Sequence, residues 1–471
     1  MNIRKIVMVE PKAPGKHIFS RFLLPRLGLP ILGTLAANRG IDVSIYVEEF
    51  CAVDFNKIVE ADLLCISSIT STAPAAYRLA SQARMAGVPV VIGGPHITFL
   101  ADEALNHVDW VLRGEGEKSF LAFLDMLEGR LSPGQVNGLS YRAEGQTIHN
   151  PLAPTMVSMD EVPIPDFGLL AGSKKKFHRG IIPMQISRGC PHECRFCSVT
   201  PMFGRKMRFA SKEHVAAELE SRRGKGDMVF FYDDNFCASP KRTKELLEHL
   251  MSRDVFLPPW LCQVSVRAAR DEELLKMMQR AGCHTVFVGF ESIQPEALEI
   301  YRKRQSVDDI RQAVRRFHKY GIRVHGMFMT GSDAEGVDTI RATAQFAIDE
   351  DIETIQFLIL TPLPGTPLYE DLDRQNRLIT NDWSLYDTMH SVFRPTHMSS
   401  FELMDESFTA MAKVYELKRV LGMLARGQFH RSSLNLYAHF QVKRWRRENR
   451  KLLKTAKRAA RRHRIPSSLP T

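Results

Sequence analysis

Short apolar runs of strand length alternate with helix-length segments in two separate series along this chain, a rhythm that restricts it to architectures built on parallel sheets. The first series places runs at residues 6–9, 43–47, 63–67, 88–92 and 110–112, with helical stretches such as 30–38, 73–86 and 118–128 between them. Runs that are apolar throughout, rather than alternating, suit strands buried on both faces. This half is therefore expected to be a doubly wound sheet of about five parallel strands. The second series has runs at 184–187, 229–232, 261–266, 286–290, 324–329 and 355–360, separated by helices at 212–223, 240–253, 272–281, 308–320 and 340–349. Six such units predict an incomplete parallel barrel. The fold class read from the sequence is α/β. It comprises a doubly wound domain at 1–150, a Pro-rich linker at 151–178 containing Pro151, Pro154, Pro163 and Pro165, a partial (β/α)6 barrel at 179–400, a helical region at 401–439 and a basic tail at 440–471.

In both architectures ligands collect beyond the carboxyl ends of the strands. In the first domain those segments are 10–15, 67–72, 93–96 and 113–117, all rich in Gly, Ser, Thr or Pro. Small residues let backbone amides approach a bulky ligand, and hydroxyls can bond its polar groups. The same residues also serve the tight turns that any such sheet requires.

Eight cysteines in 471 residues are too few and too unevenly spread for a disulfide framework. With no run near the roughly 20 apolar residues of a membrane span, and no signal-peptide pattern, a cytoplasmic location is expected. Three of the cysteines stand together in Ser187-Arg188-Gly189-Cys190-Pro191-His192-Glu193-Cys194-Arg195-Phe196-Cys197, directly after the first barrel strand. The spacing is C-x3-C-x2-C. Thiolates are soft ligands that suit zinc or iron-sulfur clusters. Structural zinc closes a tetrahedron with four ligands, whereas three thiolates on a four-iron cluster leave one iron open for a substrate. A zinc site would need His192 or a distant cysteine as its fourth ligand. A zinc-holding or RNA-associated protein without catalytic activity is the reading from another class.

With an aromatic residue, Phe196, before the last cysteine, this segment resembles the defining motif of the radical S-adenosylmethionine (SAM) superfamily. The resemblance implies a 4Fe-4S cluster on Cys190, Cys194 and Cys197, whose open iron chelates SAM. It implies reductive cleavage of SAM to a 5'-deoxyadenosyl radical. It also marks the later strand ends as SAM contacts: Asp233 and Asp234 for the amino group, Ser265 and Arg267 for the carboxylate, and Glu291 and Ser292 for the ribose.

The order of parts, and the segments Pro25-Arg26-Leu27-Gly28-Leu29, Gly93-Gly94-Pro95-His96, Thr361-Pro362-Leu363-Pro364-Gly365-Thr366-Pro367 and Asp382-Trp383 to Arg394-Pro395, are similar to the cobalamin-binding branch of that superfamily. This branch includes hopanoid methylases and the anaerobic magnesium-protoporphyrin ester cyclase. The similarity implies that Ser67, Ser68, Thr70, Gly93, Gly94, Pro95, Gly114 and Glu115 bind cobalamin. The implied reaction is C-methylation of an apolar small molecule such as a lipid, isoprenoid or tetrapyrrole, with a flavodoxin or ferredoxin as reductant. Oxidation, cyclisation or rearrangement without methyl transfer is the alternative. The Asp-x-His-x-x-Gly element that places a histidine under cobalt in many cobalamin proteins is missing, so either cobalamin is held without a histidine ligand or the domain has lost it; His17 and His96 are candidate ligands that nothing else supports, and each reads more readily as a surface histidine. Transfer-RNA methylthiolation is disfavoured because the first domain holds only Cys51 and Cys65, and nucleic acid is not expected as a partner.

The net charge of +11 resides entirely in the tail, where residues 440–471 carry 12 Lys or Arg against the single acid Glu448. Val442, Trp445, Leu452, Ala456 and Ala459, with Asn449 in the gap, form a narrow apolar stripe on a helix otherwise crowded with cations. Three readings of such a helix stand side by side: peripheral attachment to an anionic membrane surface at the inner membrane face, binding of nucleic acid or another polyanion, and a solvated tail with no partner.

Overall fold

The computed structural model describes residues 1–15, 24–154, 158–172 and 180–463, with side chains described to residue 458. Its first sheet begins with β1 (Lys5–Glu10), β2 (Asp42–Val47), β3 (Leu63–Ser67), β4 (Val90–Gly93) and β5 (Trp110–Leu112). These five pair in parallel in the order β2-β1-β3-β4-β5. Val7, Val9, Leu64 and Ile66 enter one apolar cluster and Ile6, Met8, Leu63 and Cys65 another, which places a core on each face of the sheet. Chain order reverses between β1 and β3, opening a crevice at their carboxyl ends.

The sheet then extends past the sequence reading. An antiparallel hairpin, β6 (Leu139–Ala143) and β7 (Gln146–His149), joins the edge of β5. Its two-residue turn puts Glu144 and Gly145 at φ 51° and 79°, the left-handed pair of a tight hairpin turn.

The second sheet comprises β8 (Ile181–Met184), β11 (Met228–Phe231), β12 (Trp260–Val264), β13 (Cys283–Glu291), β14 (Arg323–Thr330) and β15 (Thr354–Ile359). All neighbours are parallel and follow chain order, so the sheet curls into a partial barrel with β8 and β15 at its edges. The first strand starts three residues earlier than its apolar run indicated. Residues 187–188 instead form β9 (Ser187–Arg188), which pairs antiparallel with β10 (Arg208–Phe209) and brackets the cysteine loop. Period-two alternation divides each strand between two surfaces. Val229, Phe231, Val286, Val288, Phe290, Val324, Phe328, Ile355 and Phe357 pack into the core under the surrounding helices. The intervening residues Phe230, Gln263, Phe287, His325, Met327, Gln356 and Leu358 line the concave inner wall.

Residues 383–392 connect the two sheets. Trp383, Tyr386 and Val392 join a core cluster of the first domain, and the Trp383 indole N–H donates to Glu103 at 3.0 Å. Beyond the barrel, helices Ser400–Val414, Leu417–Ala425, Phe429–Glu448 and Arg450–His463 close the chain. Here the structure corrects the expected use of the tail stripe. Val442 and Trp445 are buried in the barrel core, Leu452 and Ala456 pack on it, and the Trp445 ring stacks on Phe408. An amphipathic helix buries its apolar stripe against the nearest apolar surface, and helix Ser400–Val414 supplies one. The Ala459 side chain lies outside the described residues. No described helix is long and apolar enough to cross a membrane.

Candidate functional site

The cysteine loop leaves β9 through Gly189 at φ 92°, where a Cβ would lie 2.6 Å from the Lys206 carbonyl oxygen, so only glycine fits. Cys190, Cys194 and Cys197 follow as free, partly buried thiols. Burial raises all three thiol pKa values, that of Cys197 to about 12, so a strong positive centre is needed to hold them as thiolates. Among the described residues no three Cys, His, Asp or Glu side chains converge on a point that could hold one metal ion. This is compatible with a cluster, in which each sulfur takes a separate iron.

A cation stands beside the loop. Burial works against the Lys303 ammonium, but Glu291 at 2.8 Å and the Cys194 sulfur outweigh it and raise its pKa. The Phe196 ring meets Tyr301 edge-on at 5.3 Å, and Arg195 pairs with Asp371, which fixes the loop's far end.

The two aspartates after β11 have different roles. Asp233 is fully buried and accepts hydrogen bonds from the Ser187 hydroxyl and the Ile186 amide at 3.3 Å, so it fastens the segment leading into the loop. This differs from the expected ligand role, since its carboxylate is already committed. Asp234 is not committed in this way. Its buried Oδ2 has no partner, and its charge acts on Cys190 and Cys197. Burial pushes its carboxyl up to about 6 against the pull of Arg188. Ser265 precedes the short helix Val266–Arg270, and exposed Arg267 acts on His192 of the cysteine loop. Glu291, at φ 63°, binds Lys303, and the Ser292 hydroxyl donates to Glu335 at 2.5 Å.

In the first domain the turns after β3 and β4 interlock. The Ser68 amide donates to the Gly93 carbonyl at 2.9 Å. Gly94, at φ 114°, passes so close to the Ser68 backbone that a Cβ would collide with its carbonyl. Ser67 ends β3, and its carbonyl accepts from Arg26, which also pairs with Glu10 at 3.0 Å across the crevice. Above this floor lies a cavity of about 450 Å3 lined by Thr70, Ser71, Pro95 and Phe99 from the first domain. Ser198, Leu363, Pro364 and Met389 close its other side, so it abuts the residue following Cys197. A largely apolar chamber over glycine-bearing turns fits a bulky corrin ring. His96 is not at this chamber's surface, being buried with its ring against Trp383 and 3.5 Å from Glu103. His17 lies outside the described residues.

Gly114 and Glu115 serve other contacts. The Gly114 amide donates to the Thr98 hydroxyl at 3.0 Å. The Glu115 carboxylate is buried against Arg208 at 2.6 Å and Arg188 at 3.8 Å, while Arg188 also binds Glu117 at 2.6 Å. Glu115 was expected to be a cobalamin contact, but it is committed to this buried network, which ties the first domain to the strand leading into the cysteine loop. The concave wall of the barrel carries aromatic contacts in series: Tyr232 to Phe230 at 5.3 Å, Phe230 to Phe287 at 5.4 Å, and Phe287 to His325 at 4.6 Å. Sequence reasoning missed Lys303, Arg188, Arg208 and Glu117. The only local signal was Arg188 standing two residues before Cys190.

Comparison with known proteins agrees with this geometry. The Radical SAM superfamily profile matches residues 184–347 and the B12 binding domain profile matches residues 20–124. An uncharacterized methyltransferase of Pyrococcus horikoshii is 33% identical over 86% of this chain and 90% of its own length. The bacteriochlorophyllide d C-12(1)-methyltransferase of Chlorobaculum tepidum is 29% identical over 89% of this chain and 90% of its own. Among solved structures, the radical SAM methyltransferase TsrM from Kitasatospora setae, with cobalamin and a 4Fe-4S cluster bound, superposes with a TM-score of 0.68 at 20% identity, covering 79% of this chain and 78% of that one. The chain belongs to the radical SAM superfamily, in the branch whose members carry a B12-binding domain ahead of the radical SAM barrel.

Proposed function

We propose that this radical SAM enzyme is a cobalamin-dependent C-methyltransferase acting on an apolar, ring-bearing small molecule. The observation that carries the reading is the adjacency of the three-thiol loop to the cavity over the glycine-bearing turns, through Ser198. When bound, the cluster and SAM supply hydrogen-atom abstraction from carbon, and cobalamin supplies a transferable methyl group.

The chain's own residues divide the remaining work. Cys190, Cys194 and Cys197 hold the cluster, and Lys303 favours their thiolate forms. Asp234 offers its unpartnered oxygen to the SAM ammonium, a charge-assisted bond that offsets the cost of its burial. Arg267, exposed beside the loop, would pair with the SAM carboxylate, and Phe196, held edge-on by Tyr301, would border the cofactor. Ser68, Gly93 and Gly94 would shape the floor beneath a corrin, and the cavity-lining Thr70 and Pro95 would contact it. The aromatic inner wall excludes water and presents ring faces to the substrate, with Gln263 and Gln356 as its polar points. The bacteriochlorophyllide-methylating relative favours a tetrapyrrole among the candidate apolar substrates.

The test is reconstitution without oxygen, measurement of iron, sulfide and corrinoid per chain, then incubation with methyl-labelled SAM and a cell extract. Label in the lipid and pigment fraction, with both S-adenosylhomocysteine and 5'-deoxyadenosine formed, supports the reading. 5'-Deoxyadenosine without S-adenosylhomocysteine removes the methylation claim and leaves oxidation, cyclisation or rearrangement. Background corrinoid removes the cofactor assignment of the first domain.

A further inference from the structure

The two helices Leu417–Ala425 and Phe429–Glu448 form a hairpin turned by Gly427 at φ 72°. Val420 and Met423 point inward from the first helix. The flank beside them carries Leu417, Leu421 and Leu424, spaced i, i+4, i+7 in one line, all exposed, Leu421 by 62%. The second helix exposes Phe429 by 70% and Phe440 by 57%, three turns apart on one face. Among the described residues, five of the fourteen exposed large apolar side chains thus fall within residues 417–440, so apolar exposure is concentrated in this hairpin.

Its charge is equally one-sided. Residues 417–447 contain eight Lys or Arg and no Asp or Glu. Arg431, Arg444 and Arg446 pair with Asp351, Glu448 and Asp405, whereas Lys418, Arg426, Lys443 and Arg447 are exposed. Exposed Leu and Phe framed by cations that outnumber the flanking carboxylates Glu416, Glu448, Asp351 and Glu353 fit an anionic bilayer surface, where apolar side chains enter the acyl boundary and cations meet headgroups. Phe429 borders a cleft with Gly321, Ile322 and Glu353, which precede the amino ends of β14 and β15. The cysteine loop lies at the opposite, carboxyl end of the barrel strands, so attachment here leaves the site open.

We propose that the outward face of this hairpin, and not the tail stripe, docks the enzyme on an anionic lipid bilayer. The test uses the full-length holoenzyme and co-sedimentation with phosphatidylcholine vesicles prepared with and without phosphatidylglycerol. Binding is expected only with phosphatidylglycerol, and is expected to weaken with salt. The triple variant Leu421→Gln, Phe429→Gln, Phe440→Gln should lower the partition coefficient by about tenfold or more, with iron content and SAM cleavage unchanged. A second variant, Lys418→Gln, Arg426→Gln, Lys443→Gln, Arg447→Gln, should do likewise, and deletion of residues 459–471 should leave binding in place. The proposal is overturned by absence of vesicle binding, by binding that survives both variants, or by loss of binding on deleting 459–471 alone. It is equally overturned if the apolar triple variant converts a dimer to a monomer or abolishes RNA binding while vesicle binding is unaltered.

Discussion

Replacing Arg188 by Met removes the centre of the buried network that joins the two domains. Arg188 and Glu117 are 6% and 9% exposed in their side chains, and their bond is 2.6 Å long. After the change Glu117 keeps its charge in a buried place where Oε2 already lacks a partner, while Glu115 retains Arg208. Breaking one side of a buried pair costs about 3–5 kcal/mol, because the remaining charge is left uncompensated. Since 1.4 kcal/mol is about a factor of ten, the folded-to-unfolded ratio should fall by roughly a hundredfold to a few thousandfold. The internal control is Arg223→Met, which breaks an exposed pair with Glu220 of similar length, 2.9 Å, and should leave the unfolding midpoint nearly unchanged. Anaerobic urea unfolding followed by tryptophan fluorescence measures both. The double variant Glu117→Leu, Arg188→Met should recover part of the loss, since the orphaned Glu117 charge is gone while Asp234 still lacks the pull of Arg188. Equal, small losses for Arg188→Met and Arg223→Met would show that the network does not hold the domains together.

Three further outcomes are expected. Gly94→Ala places a side chain at φ 114° against the Ser68 backbone, so it should cost about 1–3 kcal/mol and lower corrinoid retention; an unchanged melting temperature and corrinoid content would refute the tight-turn account. Phe290→Ala opens the packed core and should cost about 3–5 kcal/mol, whereas Phe287→Ala, on the half-open inner wall, should cost clearly less; equal costs would contradict the division of β13 into two faces. Burial lowers the His325 pKa from 6.5 to about 4, so within that window the unfolded chain binds a proton the folded one does not. Stability contributed by neutral His325 is complete above pH 6.5 and is lost as pH falls toward 4, by up to about 3 kcal/mol. His325→Gln should flatten that acid limb, and an unaltered limb would refute the assignment.

The parallel strands were legible because burial on both faces writes a continuous apolar run, as at residues 6–9 and 63–67. The β6/β7 hairpin was not, since all four residues of β7 are exposed and leave no such run. Glu144-Gly145 was the one available signal. The cysteine loop is legible from local spacing alone. Its charged supports are not, because Arg188 meets Glu117 across 71 residues, a pairing only the docking of two domains defines. The same limit explains Asp233 and Asp234, two identical side chains at one strand end, of which the fold commits the first to Ser187 and leaves the second free at Oδ2. Periodicity identified the tail stripe as apolar, but the surface it covers, Phe408 and its neighbours, is a tertiary fact.

The central claim is that Cys190, Cys194 and Cys197 together hold one cluster that cleaves SAM. Iron content and reductive SAM cleavage, measured on anaerobically reconstituted wild-type, Cys194→Ala and Cys65→Ala proteins, test it most directly. The account predicts about four irons per chain and cleavage for the wild type and for Cys65→Ala, whose thiol is buried in the first domain, and loss of both for Cys194→Ala. A Cys194→Ala protein that keeps its iron and still cleaves SAM would contradict it.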